Sequence, residues 1–227
     1  QYLQFVLGFT PLEAGFRVMP VATMIVAAPL SARFTERFGT KRVVTAGLVI
    51  VAGAMAILAL INVDSGYGHV ALALSLLGAG MGTAMAPATD SIMGSLPLAK
   101  AGVGSAMNDT TRQIGGALGV AILGSVLASA YSSSMAPAVS SLPREAAAQA
   151  SDSIGGAVRV AGQLGDAGAT LLRAATSSFI DGMQTAVWVA AAVALIGAIL
   201  TWLFLPARPR ETAAATAAGA GESPALS

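Results

Sequence analysis

The 227 residues carry 12 Lys and Arg against 11 Asp and Glu, a formal net charge of +1, with 55% apolar and 10% charged residues and a mean hydropathy of +0.74. A soluble domain carries about 25% charge, so this chain has too little polar surface to face water all round, and its near-neutrality gives no field that would hold nucleic acid. The lack of cysteine excludes disulfides, thiolate metal sites and a Cys nucleophile, and the single His69 cannot build a His-rich metal site, so neither a metal nor another cofactor is expected.

Residues 1–9 (QYLQFVLGF) are too short to cross a bilayer core, which needs about 20 apolar residues, and read as the tail of a truncated helix. The chain opens on Gln1 without a basic leader segment, so no signal peptide is visible and a fragment of a longer polypeptide is expected. Thr10, Pro11 and Glu13 fit a capping box with proline at the first helical position. Residues 10–130 then read as four transmembrane helices. The first runs over about 11–34 and contains Pro20 and Pro29, which should bend it, with Arg17 able to snorkel outward. A short basic loop, Arg33 to Arg42 (RFTERFGTKR), leads to the second span at 43–63, which lacks any charge. A polar turn at 64–69 (DSGYGH) precedes the third span at 70–93, with Pro87 and Asp90 towards its end. After a connector holding Pro97 and Lys100, a fourth helix occupies about 102–130, polar in its first third and apolar afterwards.

Residues 131–177 are rich in Ala, Ser and Gly, with a sparse stripe at Ile154, Val158, Ala161, Leu164, Ala167 and Leu171. They read as an extramembrane loop whose amphipathic helices lie on the surface. Ser178 and Asp181 resemble a second capping box at the start of the last span, 178–205. The remainder, 206–227, is low-complexity and reads as a disordered tail. Five spans put Arg33, Arg37, Lys41, Arg42, Lys100, Arg208 and Arg210 on one side, which the positive-inside rule makes cytoplasmic, with the 131–177 loop outside and the tail inside. The fold class is therefore an all-α, multi-pass membrane protein whose first partner is the lipid bilayer.

Three clusters could carry function. In the basic loop, Gly39 permits a tight reversal, Glu36 can pair with Arg or Lys across the loop, and the cations suit helix C-terminal carbonyls, so the segment could act as a cytoplasmic latch or serve only as a positive-inside loop. On the fourth span, Asn108, Arg112, Gly115 or Gly116, and Gly119 share one helical stripe, Gly115 and Gly119 form GxxxG, and Asp109 is within side-chain reach of Arg112 and Gln113. An ionisable pair at membrane depth is costly and normally marks a pathway or a partner; the same residues could instead be a solvated turn at the interface. If the pair is functional, Asp109 would couple protons or bind a cationic substrate, Arg112 would be its counter-charge, and Asn108 and Gln113 would line the same face. Asp90 is a second acid, closer to the helix end. Gly78, Gly80 and Gly82 follow an apolar run and read as helix packing, because position six of a dinucleotide fingerprint is lacking. No serine has a plausible base and no polar reactive cluster exists, so the chain reads as no enzyme.

The loop RFTERFGTKR resembles the inter-helix motif of the major facilitator superfamily, G-x-L-x-D-R-x-G-R-R, with Glu36, Arg37 and Gly39 in register and Arg42 one residue past the closing basic pair; Ala32 stands for the first glycine, Glu36 for aspartate and Thr40 for a basic residue. The stretches GAGMGTAMAP (78–87) and GVGSAMNDTTRQIGGALGVAILGSV (102–126), with the opening QYLQFVLGFTPLEAGFRVMP, are similar to the fourteen-helix drug:proton antiporters, the group of the EmrB and QacA exporters. The resemblance implies that five transmembrane helices form most of the C-terminal six-helix lobe of a transporter. The first helix of that lobe and the whole N-terminal half would then lie elsewhere in the polypeptide. It implies proton-coupled export of small lipophilic or cationic compounds across the plasma membrane by alternating access. A non-transporting membrane scaffold or subunit, or an inactive truncated transporter, is the alternative.

Overall fold

A computed structural model describes residues 1–206 except 64, 95, 96, 98, 99, 166 and 167; the tail with Arg208 and Arg210, and Ala167 of the expected stripe, lie outside the described residues. Among the described residues there are helices and no strand. Five helical stretches are long and apolar enough to cross a membrane: Pro11–Phe38, Thr40–Ala59, Tyr67–Gly94, Ala101–Val139 and Gly168–Phe204.

The first stretch is two helices. α1 (Pro11–Arg17) begins on the capping box, where the Glu13 amide donates to the Thr10 hydroxyl at 3.3 Å and the Thr10 amide donates to the Glu13 carboxylate at 2.9 Å. A 3₁₀ turn over Met19–Ala22, holding Pro20, breaks the path before α2 (Thr23–Phe38) resumes it with Pro29 inside. Proline removes one backbone donor and crowds the preceding turn, which is why the α-helical pattern is interrupted at Pro20. The expected loop from Arg33 to Arg42 is not a loop. α2 continues to Phe38 and α3 (Thr40–Ala59) starts at Thr40, so Gly39 alone makes the reversal at φ +83°, a conformation that a Cβ would strain. Arg33, Glu36 and Arg37 end one helix and Lys41 and Arg42 begin the next.

α4 (Tyr67–Gly94) lies between α2 and α3 and packs on both. Its small residues serve the two neighbours in alternate registers. A Cβ on Gly82 would stand 2.6 Å from the Met24 carbonyl of α2, and a Cβ on Gly78 would run into the Val21 carbonyl. A Cβ on Gly80 would stand 2.8 Å from the Gly47 carbonyl of α3. Backbones this close gain dispersion contact that lipid tails cannot match, which is how helices associate where no water drives them together. The Thr23 hydroxyl also donates to the Ser75 carbonyl at 2.7 Å across the α2–α4 contact.

α5 (Ala101–Val139) and α8 (Gly168–Phe204) pack on each other, and α8 packs on α3, giving the lateral order α2, α4, α3, α8, α5. Both helices are longer than expected. α5 does not stop near 130, and α8 starts at Gly168, so Ser178 is a buried interior residue and not a cap. The reason is a pair of facing stripes: Tyr131, Met135 and Val139 on α5, and Leu171, Ala175 and Phe179 on α8, each at i, i+4, i+8 and all buried. Between them sit α6 (Arg144–Asp152) and α7 (Ile154–Gln163). These two do not lie apart on a surface; they close a core with the helix ends and with Tyr2, Leu3 and Ile61. The buried face of α7 is Ile154, Ala157, Val160 and Ala161, while Val158, which the expected stripe included, points outward at 36% exposure. The Tyr131 hydroxyl donates to the Ala150 carbonyl at 2.9 Å inside this core, and an unpaired carbonyl there would cost about 1–3 kcal/mol.

The same end is tied down from the chain start. Residues Tyr2–Val6 form one π-helical turn, and the Tyr2 hydroxyl donates to the Ser65 carbonyl at 3.0 Å. Gln184 of α8 donates to the Ile61 carbonyl at 2.7 Å, satisfying a group left over after the end of α3. Arg17 stacks on Phe9 at 3.7 Å from the ring centre, with Tyr67 beyond it at 5.7 Å. One end of the bundle is thus capped and aromatic, and the other carries Arg33, Arg37, Lys41, Arg42 and Lys100.

Candidate transport face

The residues singled out on the fourth span lie on the least covered part of the bundle. Asp109, Arg112 and Gln113 are exposed and Asn108 is half-buried. Among the described residues no carboxylate lies within 4.0 Å of a cation, so Asp109 and Arg112 share a face without an ion pair. The helical segment from Asp109 to Tyr131 is about 33 Å long, roughly one hydrocarbon thickness. Asp109 therefore lies far from the capped end, towards the basic one.

α5 and α8 approach closely near the cap, where a Cβ on Gly182 would stand 2.9 Å from the Leu127 carbonyl. Towards the basic end they part. Gly115, Gly116 and Gly119 have no heavy atom within 4 Å of an added Cβ, so none of the three packs against another helix of this chain. Instead, Gly115 and Gly119 border an apolar groove of about 330 Å³ between α5 and α8, with Leu118 and Val193 on its walls. A second, of about 620 Å³, opens between α3, α5 and α8 beside Gly119 and Gly124, with Met55 and Met183 in its lining. Methionine fills irregular space adaptably, and surfaces rich in it accept varied apolar shapes. Neither groove was legible in the sequence, because each depends on how far two helices separate.

Asp90 is exposed, one turn from the end of α4. Glu36, Arg37 and Arg42 are exposed on either side of half-buried Gly39. Sequence reasoning missed Gly47, which meets Gly80 across the α3–α4 contact; glycine inside an apolar span was the only signal, and Gly53 on the same helix meets nothing.

Five apolar helices packed through small residues, with polar groups gathered at the two ends, define a multi-pass α-helical membrane protein. A family profile described as Major Facilitator Superfamily matches residues 1–120. The chain is 36% identical over 222 residues to the tetracenomycin C resistance and export protein of Streptomyces glaucescens, covering 93% of this chain and 41% of that protein. It is 32% identical to the multidrug efflux pump LfrA of Mycolicibacterium smegmatis (87% of this chain, 40% of that one). It is 31% identical to the methyl viologen resistance protein SmvA of Salmonella typhimurium (90% and 42%). The chain belongs to the Major Facilitator Superfamily, and it spans about 40% of the length of these relatives.

Proposed function

We propose that this chain is most of one lobe of a proton-coupled exporter of small lipophilic or cationic compounds, of the fourteen-helix drug:proton antiporter group, working by alternating access in the plasma membrane. The observation that carries the reading is the exposed, unpaired Asp109–Arg112 pair on the part of α5 that parts from α8 beside open apolar grooves. Charge at membrane depth is retained where it has a task, and apolar grooves next to an acid suit lipophilic cations. Asp109 carries the proton or the cation, Arg112 balances it when empty, and Asn108 and Gln113 orient both. Asp90, near the basic end of α4, is a second acid on the proton route. The names of the three relatives, which speak of export, efflux and resistance, support the same class. The open stripe at Gly115 and Gly119 is then a seat for helices of the same transporter outside this chain, consistent with its share of its relatives' length.

Everted vesicles containing the full transporter should accumulate an organic cation such as methyl viologen when the lumen is acidified, and a protonophore should abolish the accumulation. Gradient-independent or absent flux would leave a non-transporting scaffold and end the proposal.

Orientation follows from charge: the basic end lies inside, and the capped 131–177 region lies outside. The chain has no native cysteine, so Ser140→Cys and Lys41→Cys can be labelled one at a time. In intact cells an impermeant maleimide should reach position 140 and not position 41. Labelling of both from outside would refute the orientation.

A further inference from the structure

We propose that the groove between the end of α2 and the start of α3 binds an anionic phospholipid. α2 contributes Phe34 and Phe38, one turn apart with ring centres 6.3 Å from each other. α3 contributes Val43, Ala46 and Ile50, at i, i+3 and i+7, an apolar strip about 10 Å long. The cavity measures about 410 Å³, and its one contribution from α4 is Thr83, whose hydroxyl is already spent on the Ala79 carbonyl at 2.8 Å. Its single charged wall is Arg42, exposed and without an acidic partner among the described residues.

This is the shape of a two-part ligand: a wall that accepts a hydrocarbon chain and one free guanidinium where a phosphate would stand, with the bidentate geometry that arginine offers to phosphate oxygens. The surroundings reinforce the sign. Residues 33–42 hold Arg33, Arg37, Lys41 and Arg42 against Glu36 alone. The neighbouring cations are engaged with aromatic rings, Arg37 over Phe38 at 5.6 Å and Lys41 over Trp202 at 5.2 Å, so Arg42 is the cation that faces the groove. The half-exposure of both phenylalanines, 43% and 47%, leaves the groove open along its side, so a lipid can enter from the bilayer. The proposal rests on the membrane embedding of the helices and not on export, so its failure would leave the transport reading untouched.

The test uses the full chain in detergent micelles with both native tryptophans replaced (Trp188→Phe, Trp202→Phe) and one reporter in the groove, Phe38→Trp. Phosphatidylglycerol with brominated acyl chains should quench the reporter at about fivefold lower concentration than brominated phosphatidylcholine, the preference that one basic residue confers at an anionic headgroup. Arg42→Gln should remove the preference, Arg42→Lys should keep part of it, and Lys100→Gln, at the same end but outside the groove, should leave it intact. In the unsubstituted chain the same lipids should raise the unfolding temperature in the same order, again only while Arg42 is present. Equal quenching by the two lipids, a preference that survives Arg42→Gln, or one lost as readily in Lys100→Gln would overturn the site; the last would leave only diffuse surface charge. A reporter that neither lipid quenches would mean that no acyl chain enters the groove, and would overturn it too.

Discussion

Replacing Asp109 with Asn should reduce gradient-driven efflux to the level of empty vesicles while the protein still inserts and purifies in normal yield. The side chain is exposed in this chain and makes no ion pair among the described residues, so its charge is not needed to hold the bundle together. Asn keeps the size and loses the titration. A group retained for packing would tolerate that exchange; a group that must alternately bind and release a proton would not. Arg112→Gln should behave differently. It removes a cation from the face that carries Asp109 but leaves the acid itself in place, so transport should fall only in part. The position of Asp109, about one hydrocarbon thickness from Tyr131, adds a sharper expectation: its carboxyl should be reached from the basic side of the membrane. In Asp109→Cys, a maleimide supplied to everted vesicles should react, and substrate should slow the reaction. Efflux undiminished in Asp109→Asn would eliminate the acid from the mechanism.

The spans were legible because their signal is local. An uncharged run such as 43–63 can hardly be anything but a membrane helix, whatever it packs against, although α3 ends at Ala59, four residues before the run does. Where the outcome depends on a neighbour, the sequence was mute or misleading. Ser178 looks like a cap by type and spacing, yet Leu171, Ala175 and Phe179 carry the helix through it, because they are buried in one core with Tyr131, Met135 and Val139 and with residues of α6 and α7, far along the chain. The Ala-rich 131–177 region looks like a surface loop because alanine gives a weak apolar signal; in a tight core a small side chain suits close packing, and Ala150, Ala157 and Ala175 are fully enclosed. Arg33 to Arg42 reads as a loop by charge, yet Gly39 turns the chain in one residue. Of the candidate site, Asp109 and Arg112 could be singled out as candidates because charge is costly in a membrane. The grooves beside them could not.

The glycines supply the other large effect, because the same residue type does opposite things on two helices. Gly80→Leu should prevent recovery of a folded, monodisperse protein, and Gly80→Ala should cost about 1–3 kcal/mol, the usual range for overpacking, read as a fall in the unfolding temperature of the purified chain. An alanine Cβ there would stand 2.8 Å from the Gly47 carbonyl and 2.9 Å from the Val51 amide. Both are backbone atoms, so no rotamer change relieves the contact and α3 must move off α4. That movement would also strain the opposite face of α4, where a Cβ on Gly82 would already stand 2.6 Å from the Met24 carbonyl. Gly115→Ala meets open space and should leave the unfolding temperature of this chain unchanged or slightly higher, since alanine favours a helix over glycine by up to about 1 kcal/mol. In the full transporter the contrast should narrow: if helices from outside this chain seat on the Gly115–Gly119 stripe, Gly115→Leu should damage the whole protein while sparing the isolated chain. Equal tolerance of Gly115→Leu in both would mean that nothing packs on that stripe, and equal tolerance of Gly80→Leu and Gly115→Leu would contradict the α3–α4 contact itself.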